Sequence, residues 1–340
     1  MISSAMPSPS PSSNLPRTPE RASLARVQAA PARRTSPTLA AKLALGRVVK
    51  RLGLPVEPLF YLMKAGRMAL HPAEALRRRR TAAALRDGHW SEIISRAKGF
   101  GLFGPDVFPG TAAAMSAARS VFQRWAASGA ARTTDKPFLV NVLDREDLVR
   151  HPELLDFALS DAVLRAATAY FGEVPLLRAM AVFYSPKNDL HQASQKFHID
   201  TDDLRQLKCF INVEPTDAAA GPFSFLDAEL SDRVRTKLQH GWKGGRIEDE
   251  DVFSVAKLSD LRELLGPSGS GGLIDTSRCL HFGSRARGGS RLVLMFQFTS
   301  FAHLKEDDGY GPDGAVVTKL PADRYRGDAL RMLVLGSRPQ

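Results

Sequence analysis

Apolar positions along this chain follow two periods in turn. Between Ala41 and Gly99, Leu43 and Leu45 are followed by Val48 and Leu52 at spacings of three and four, which predicts helix. The segments TAAAMSAARSVFQRWAASG (111–129) and SDAVLRAATAYFG (160–172) predict two further helices, the second opening on Ser160 as N-cap and closing on Gly172. From Val174 the texture changes. VPLLRAMAVFYSP, LKCFINVEP, GPFSFLDA, GGLIDTSRCLHFG and RLVLMFQFTS are short apolar or alternating runs between Gly, Pro and Asp turns, and they predict strands. A mostly helical insertion separates the third run from the fourth, at about residues 229–265. The expected architecture is a mainly β core at 174–301 with flanking helices. An α-rich N-terminal half (41–173) packs on it and a C-terminal extension (302–340) follows.

Composition adds a tail to this outline. Residues 1–40 are crowded with Ser, Pro, Ala and Arg and carry few large apolar side chains, so they cannot offset their ordering entropy and are expected to be disordered. The net charge of +11 is uneven: residues 1–90 hold 16 Lys and Arg against 4 Asp and Glu, and the rest of the chain is close to neutral. The basic stretches lack interleaved aromatic side chains, which argues against a nucleic-acid partner. Arg77–Arg80 splay around most of a helical turn and read as a solvated face. No apolar stretch approaches the roughly 18 residues of a membrane span. The two cysteines, Cys209 and Cys279, are too few for a disulfide framework and read as packing residues of a cytoplasmic protein. The Arg- and Ser-rich, acid-poor tail makes organellar import the alternative.

The chemistry is concentrated in two segments. In KFHIDTDDLRQLKCFINVEP, His198 and Asp200 are two residues apart on an extended run, so both point to one face and can grip a single ion. About 80 residues on, LIDTSRCLHFGSRARGGSRLVLMFQF brings His281 at the close of one strand and Arg291 at the start of the next. Two histidines and a carboxylate form the facial triad that holds non-haem Fe(II) and leaves coordination positions open. A guanidinium entering a strongly apolar strand needs an anion, and a carboxylate meets its planar fork with two hydrogen bonds. Asp202 and Asp203 read as solvated loop acids and His191 as a loop residue at a pocket mouth. Trp242 in the insertion is a lid candidate, and Arg278, Arg285 and Arg287 crowd the distal histidine as turn residues or anion contacts.

Taken together, His198-X-Asp200, the strand CFINVEPTDAAAGPFSFL with its Gly-Pro turn, His281 and Arg291 resemble the phytanoyl-CoA dioxygenase family of Fe(II)/2-oxoglutarate oxygenases over about residues 174–301. The resemblance implies a double-stranded β-helix of jelly-roll, cupin-like form. It implies His198, Asp200 and His281 as iron ligands, Arg291 as partner of the distal carboxylate of 2-oxoglutarate, and O2 as oxidant. The family's Pro-Gly-Ser-His stretch is here Gly221-Pro222-Phe223-Ser224, and Gly283, Ser284 and Arg285 follow the distal histidine. Gln195, Asn212 and Ser284 are therefore the candidates for further co-substrate contacts. Because the metal carboxylate Asp200 is retained, the resemblance implies hydroxylation of a small molecule or carrier-tethered substrate, with release of succinate and CO2. An acidic carrier protein or CoA ester is the expected partner of the basic N-terminal quarter. The competing expectation is a non-catalytic β-barrel binding or scaffold protein with a degenerate metal site.

Overall fold

The computed structural model describes residues 57–85, 88–129, 136–241, 245–303 and 322–336. By its internal contacts the chain divides into residues 1–47 and 48–340, and every described residue belongs to the second unit. The expected tail at 1–40, Trp242 and much of the C-terminal extension lie outside the described residues. No helix among the described residues is long and apolar enough to cross a membrane.

In chain order the elements are α1 (Glu57–Leu70), α2 (Pro72–Ala84), α3 (Gly88–Ser91), β1 (Phe100–Phe103), α4 (Thr111–Ala127), β2 (Val140–Asn141), α5 (Arg145–Arg150), α6 (Pro152–Ala158), α7 (Asp161–Phe171), β3 (Leu176–Ser185), β4 (Gln206–Asn212), β5 (Ser224–Phe225), α8 (Ala228–Lys237), α9 (Asp249–Phe253), β6 (Arg262–Glu263), β7 (Gly271–Asp275), β8 (His281–Phe282), β9 (Arg291–Thr299) and α10 (Ala329–Val334). The helix at 160–172 forms as its end signals predict. The Ser160 side chain accepts from the Val163 amide, and Gly172 takes the left-handed conformation at the C-cap.

Six strands form an antiparallel sheet in the order β1-β7-β4-β9-β3-β2, and β6-β5-β8 form a smaller one. An isolated bridge pairs His198 with His281 and extends the small sheet on its β8 side. From β3 onward the chain alternates between the sheets: β3 in the large one, His198 in the small one, β4 large, β5 and β6 small, β7 large, β8 small, β9 large. That winding is a double-stranded β-helix.

Strand alternation sorts the side chains. Leu292, Leu294, Phe296 and Phe298 of β9 and Leu207, Cys209 and Ile211 of β4 join the helices in the main core, while the intervening residues face into the barrel. Because both faces are covered, every residue of β9 is buried. On the small sheet, Phe197, Ile199, Leu280 and Phe282 pack outward against Leu230, Val234 and Val252 of the insertion.

Three features depart from the sequence outline. The α-rich N-terminal half also supplies the edge strands β1 and β2, four and two residues long, too short to announce themselves by alternation. Among its described residues the insertion is helical in α8, α9 and a 3-10 turn at Leu258–Asp260, and it ends in β6. Within the arginine run, Arg78 is 1% exposed rather than solvated. It pairs with Glu74 and donates to the carbonyls of Val174 and Leu333, tying α2 to the strand layer and to α10. A guanidinium tolerates that burial because its several donors find acceptors.

Candidate metal and co-substrate site

The phase of alternation sets the site. With Phe197, Ile199, Leu280 and Phe282 committed outward to the insertion, His198, Asp200 and His281 must point into the barrel. One potential ligand atom from each lies within 4.8 Å of the others, the grouping that the His-X-Asp and distal histidine predict. The bridge holding the histidines is reciprocal: His198 N–H donates to the His281 carbonyl at 3.0 Å and His281 N–H to the His198 carbonyl at 2.9 Å.

Main-chain carbonyls also fix the tautomers. His198 Nδ1 lies 2.9 Å from the Lys196 carbonyl and His281 Nδ1 2.9 Å from the Cys279 carbonyl. A carbonyl only accepts, so Nδ1 carries the proton in each ring and Nε2 presents a lone pair. Burial, the largest influence on both, pushes His281 down to about 4 and His198 well below its ordinary value, so both rings are neutral at pH 7. Burial alone would raise Asp200. The Lys208 ammonium, 2.8 Å from Asp200 Oδ2, overrides it and holds the carboxyl well below the usual carboxylate range. Gln206 Nε2 also donates to Asp200 Oδ2, at 3.3 Å. The Phe223 ring stacks on His281 with centroids 5.1 Å apart. Two neutral imidazoles and one ionised carboxylate converging in this way fit a divalent transition metal.

Arg291 lies on the wall of the same cavity, which measures about 430 Å³. It is 6% exposed and makes no ion pair with a described acidic residue. Its Nη2 donates to Ser284 Oγ at 3.1 Å, and its buried Nε has no partner. Burial pushes it from 12.5 down to about 10. A buried guanidinium in this condition is a receptor for an anion. Ser284 is held in the left-handed region (φ 62°) and its hydroxyl also meets Ser185 Oγ at 2.9 Å, opposite Arg291 in the β3–β9 register.

The other two predicted co-substrate contacts stand elsewhere. Gln195 is fully buried, its Nε2 donating to Asn188 Oδ1 and the Ser284 carbonyl and its Oε1 accepting from Gln192 N–H. Its polar atoms are thereby occupied in holding the Ser284 loop. Asn212 faces inward past Phe210, whose ring packs on Phe223, and its Nδ2 donates to the Leu264 carbonyl outside the cavity wall.

The neighbours are resolved similarly. Asp203 is wholly buried, not solvated, accepting from Lys64 Nζ and from the Ser300 amide and hydroxyl. Arg278 donates to the carbonyls of Arg96 and Ala97. Arg285 pairs with Asp249 and lies over the Phe282 ring at 3.5 Å. His191 is exposed, and Cys209 and Cys279 are buried free thiols. Sequence reasoning missed Gln206, Lys208 and Gln297, all on the cavity wall. The signal was present in Lys208, the only charged residue of the apolar run LKCFINV.

No family model matches the chain, and no curated protein matches it. Among solved structures it is similar to EctD from S. alaskensis with 2-oxoglutarate and 5-hydroxyectoine, at 14% identity over 65% of this chain and 79% of that one, with a TM-score of 0.45. HygX from Streptomyces hygroscopicus, with nickel and 2-oxoglutarate bound, matches at 15% identity over 65% and 94% of the two chains, with a TM-score of 0.42. SnoK, a non-heme alpha-ketoglutarate-dependent carbocyclase from nogalamycin biosynthesis, matches at 15% identity over 63% and 84%, with a TM-score of 0.42.

Proposed function

We propose that the protein is an Fe(II)/2-oxoglutarate-dependent oxygenase that hydroxylates a small molecule or carrier-tethered substrate. The observation that carries this reading is the conjunction, within one cavity, of three inward-facing metal ligands and a buried arginine that no described carboxylate satisfies. His198, Asp200 and His281 would hold the iron, and Arg291 with Ser284 would receive the distal carboxylate of 2-oxoglutarate. Iron bound there would supply the oxidation, coupling decarboxylation of 2-oxoglutarate to succinate and CO2 with transfer of an oxygen atom from O2 to the substrate.

The chain's own contribution is orientation and exclusion of water. The Lys196 and Cys279 carbonyls hold both imidazoles in the ligating tautomer, and Phe223 limits rotation of His281. Ala181, Phe183, Phe210, Val293 and Met295 form an apolar wall against which a substrate carbon can be held dry. The spacing His198-X-Asp200, Gly221-Pro222, His281, Arg291 supports the finer assignment to a phytanoyl-CoA dioxygenase-like enzyme.

The test is optical. Anaerobic protein given Fe(II) and then 2-oxoglutarate should develop the weak visible charge-transfer band of the chelate. Asp200→Ala should abolish the band, and Arg291→Lys should weaken co-substrate binding by about 1–3 kcal/mol, because a point charge replaces a fork. A wild-type chain that retains no iron and gives no band sinks the proposal.

A further inference from the structure

Outside the barrel lies a second cavity, of about 860 Å³, which shares no lining residue with the metal site. The loop that leads from Asp200 to β4 parts the two: Asp200 and Asp202 face the barrel, Leu204 and Arg205 the second cavity. The rest of its wall comes from α1, α2, α8 and the turns that follow α7 and β7. Tyr61, Met68 and Leu204 give it an apolar edge.

Five arginines converge here from five separate segments: Arg79 of α2, Arg96 ahead of β1, Arg205 ahead of β4, Arg235 of α8 and Arg278 after β7. Lys64 is the sixth cation, and Asp203 neutralises it at 2.9 Å. The acids on the wall are Glu57, Glu173 and Asp232. Glu57 and Asp232 meet Arg235 only at 3.8 and 3.4 Å. The Arg235 side chain is 13% exposed, and its buried Nε has no hydrogen-bond partner. Glu173 accepts from the Phe301 amide. Arg96 donates to the Ala169 carbonyl and Arg278 to the carbonyls of Arg96 and Ala97, all of them neutral acceptors. Arg79 and Arg205 have no partner among the described residues. Asp275 lies buried behind Tyr170, its oxygens taken by Tyr170, Ser277 and the Gln206 amide. With Asp203 counted, six cations face four acids at this cavity, which leaves two positive charges.

Guanidinium forks gathered on a concave wall without carboxylates to match them form a receptor for an oxyanion. A carboxylate would cancel half of the surplus, whereas a phosphate monoester carries close to two negative charges and three acceptor oxygens. We infer that this cavity is a second binding site, for a phosphate monoester with an apolar body. The phosphate meets the arginines left without a carboxylate, Arg79 and Arg205 foremost, and the apolar edge covers the body. Occupancy requires neither a metal nor 2-oxoglutarate in the barrel.

The experiment is calorimetric titration of the full chain, metal-free at pH 7.5, with phenyl phosphate, inorganic phosphate and phenol. Phenyl phosphate should bind at least about fivefold tighter than inorganic phosphate, and phenol should not bind. The double variant Arg79→Gln/Arg205→Gln should weaken phenyl phosphate about tenfold or more. It should also melt with the wild type, because neither side chain has a partner to lose. Arg291→Met, in the barrel, and Arg33→Gln/Arg34→Gln, in the tail, should bind phenyl phosphate as the wild type does. No binding by the wild type overturns the inference, and so does full affinity or a lowered melting temperature in the double variant. Loss of binding in Arg291→Met would move the anion into the barrel, and loss in the tail variant would move it to the tail; each overturns the inference. Phenyl phosphate no tighter than inorganic phosphate overturns the apolar body. Sedimentation with phosphatidate vesicles separates two sources of the ester. Wild type that sediments while the double variant does not makes it a lipid headgroup, and phenyl phosphate binding without sedimentation makes it a soluble ester; both agree with the inference.

Discussion

Replacing Arg291 with methionine should stabilise the metal-free protein while abolishing its response to 2-oxoglutarate. Burial moves the Arg291 guanidinium from 12.5 down to about 10, which corresponds to a cost on the order of 3 kcal/mol for keeping it charged. Its one hydrogen bond, to Ser284 Oγ, returns about 1 kcal/mol. Methionine fills similar volume with no charge to desolvate, and Ser284 keeps Ser185 as a partner. The net expectation is a gain of about 1–2 kcal/mol, or a rise in melting temperature of about 2–5 °C. Thermal unfolding followed by circular dichroism, first in chelator and then with Co(II) and 2-oxoglutarate, measures both quantities. Wild type at a hundredfold excess over Kd should gain about 2.7 kcal/mol from the co-substrate, and the variant nothing. A variant that melts below wild type by the equivalent of 1 kcal/mol or more in chelator would show that Arg291 has a structural partner. Full co-substrate stabilisation in the variant would move the anion site elsewhere. Either result refutes the reasoning.

Three other expectations are as direct. His281→Ala should weaken Co(II) binding, read from its visible bands, by more than the about 10–100-fold that loss of an outer-sphere partner costs. Stability of the metal-free chain should fall on acidification: the folded His281, near 4, binds fewer protons than the unfolded histidine near 6.5, so stability is full above about pH 6.5 and declines toward pH 4. Urea titrations at pH 7 and pH 5 should differ by about 2 kcal/mol from this residue, and His281→Gln should remove that part of the slope. Gly221→Ala should cost about 2–3 kcal/mol, because Gly221 has φ 68° and a Cβ would come within 2.5 Å of the Arg285–Ala286 main chain. Chemical denaturation checks it.

What could be read from the chain was whatever local spacing encodes. His198 and Asp200 share a face by strand geometry, and Arg291 stands out as a cation opening an apolar strand. The helix at 160–172 carries both of its end signals. Edge strands β1 and β2 were illegible because they are defined by the partners β7 and β3, distant in sequence, rather than by their own few residues. Asn212 was misplaced for a related reason. Its inward phase on β4 is as expected, but alternation does not say how far along a strand the cavity extends. Gln195 was near the site and saturated by neighbours, a property that only three-dimensional hydrogen bonding reveals. Lys208 was legible as an anomaly, and its pairing with Asp200 gave the anomaly a meaning.

The reciprocal main-chain bonds between His198 and His281 make two of the three ligands one mechanical unit. Asp200 is attached differently: its amide donates to the Thr276 carbonyl in a loop, and among the described residues its carboxylate is held only by the side chains of Lys208 and Gln206. The centre is thus a fixed jaw of two imidazoles facing an adjustable carboxylate arm. Ions of different radius should be accommodated by movement of the arm, with the spacing of the jaw unchanged. The His198 and His281 amides should be among the slowest to exchange with deuterium whether or not a metal is bound, and the Asp200 amide should slow on metal addition.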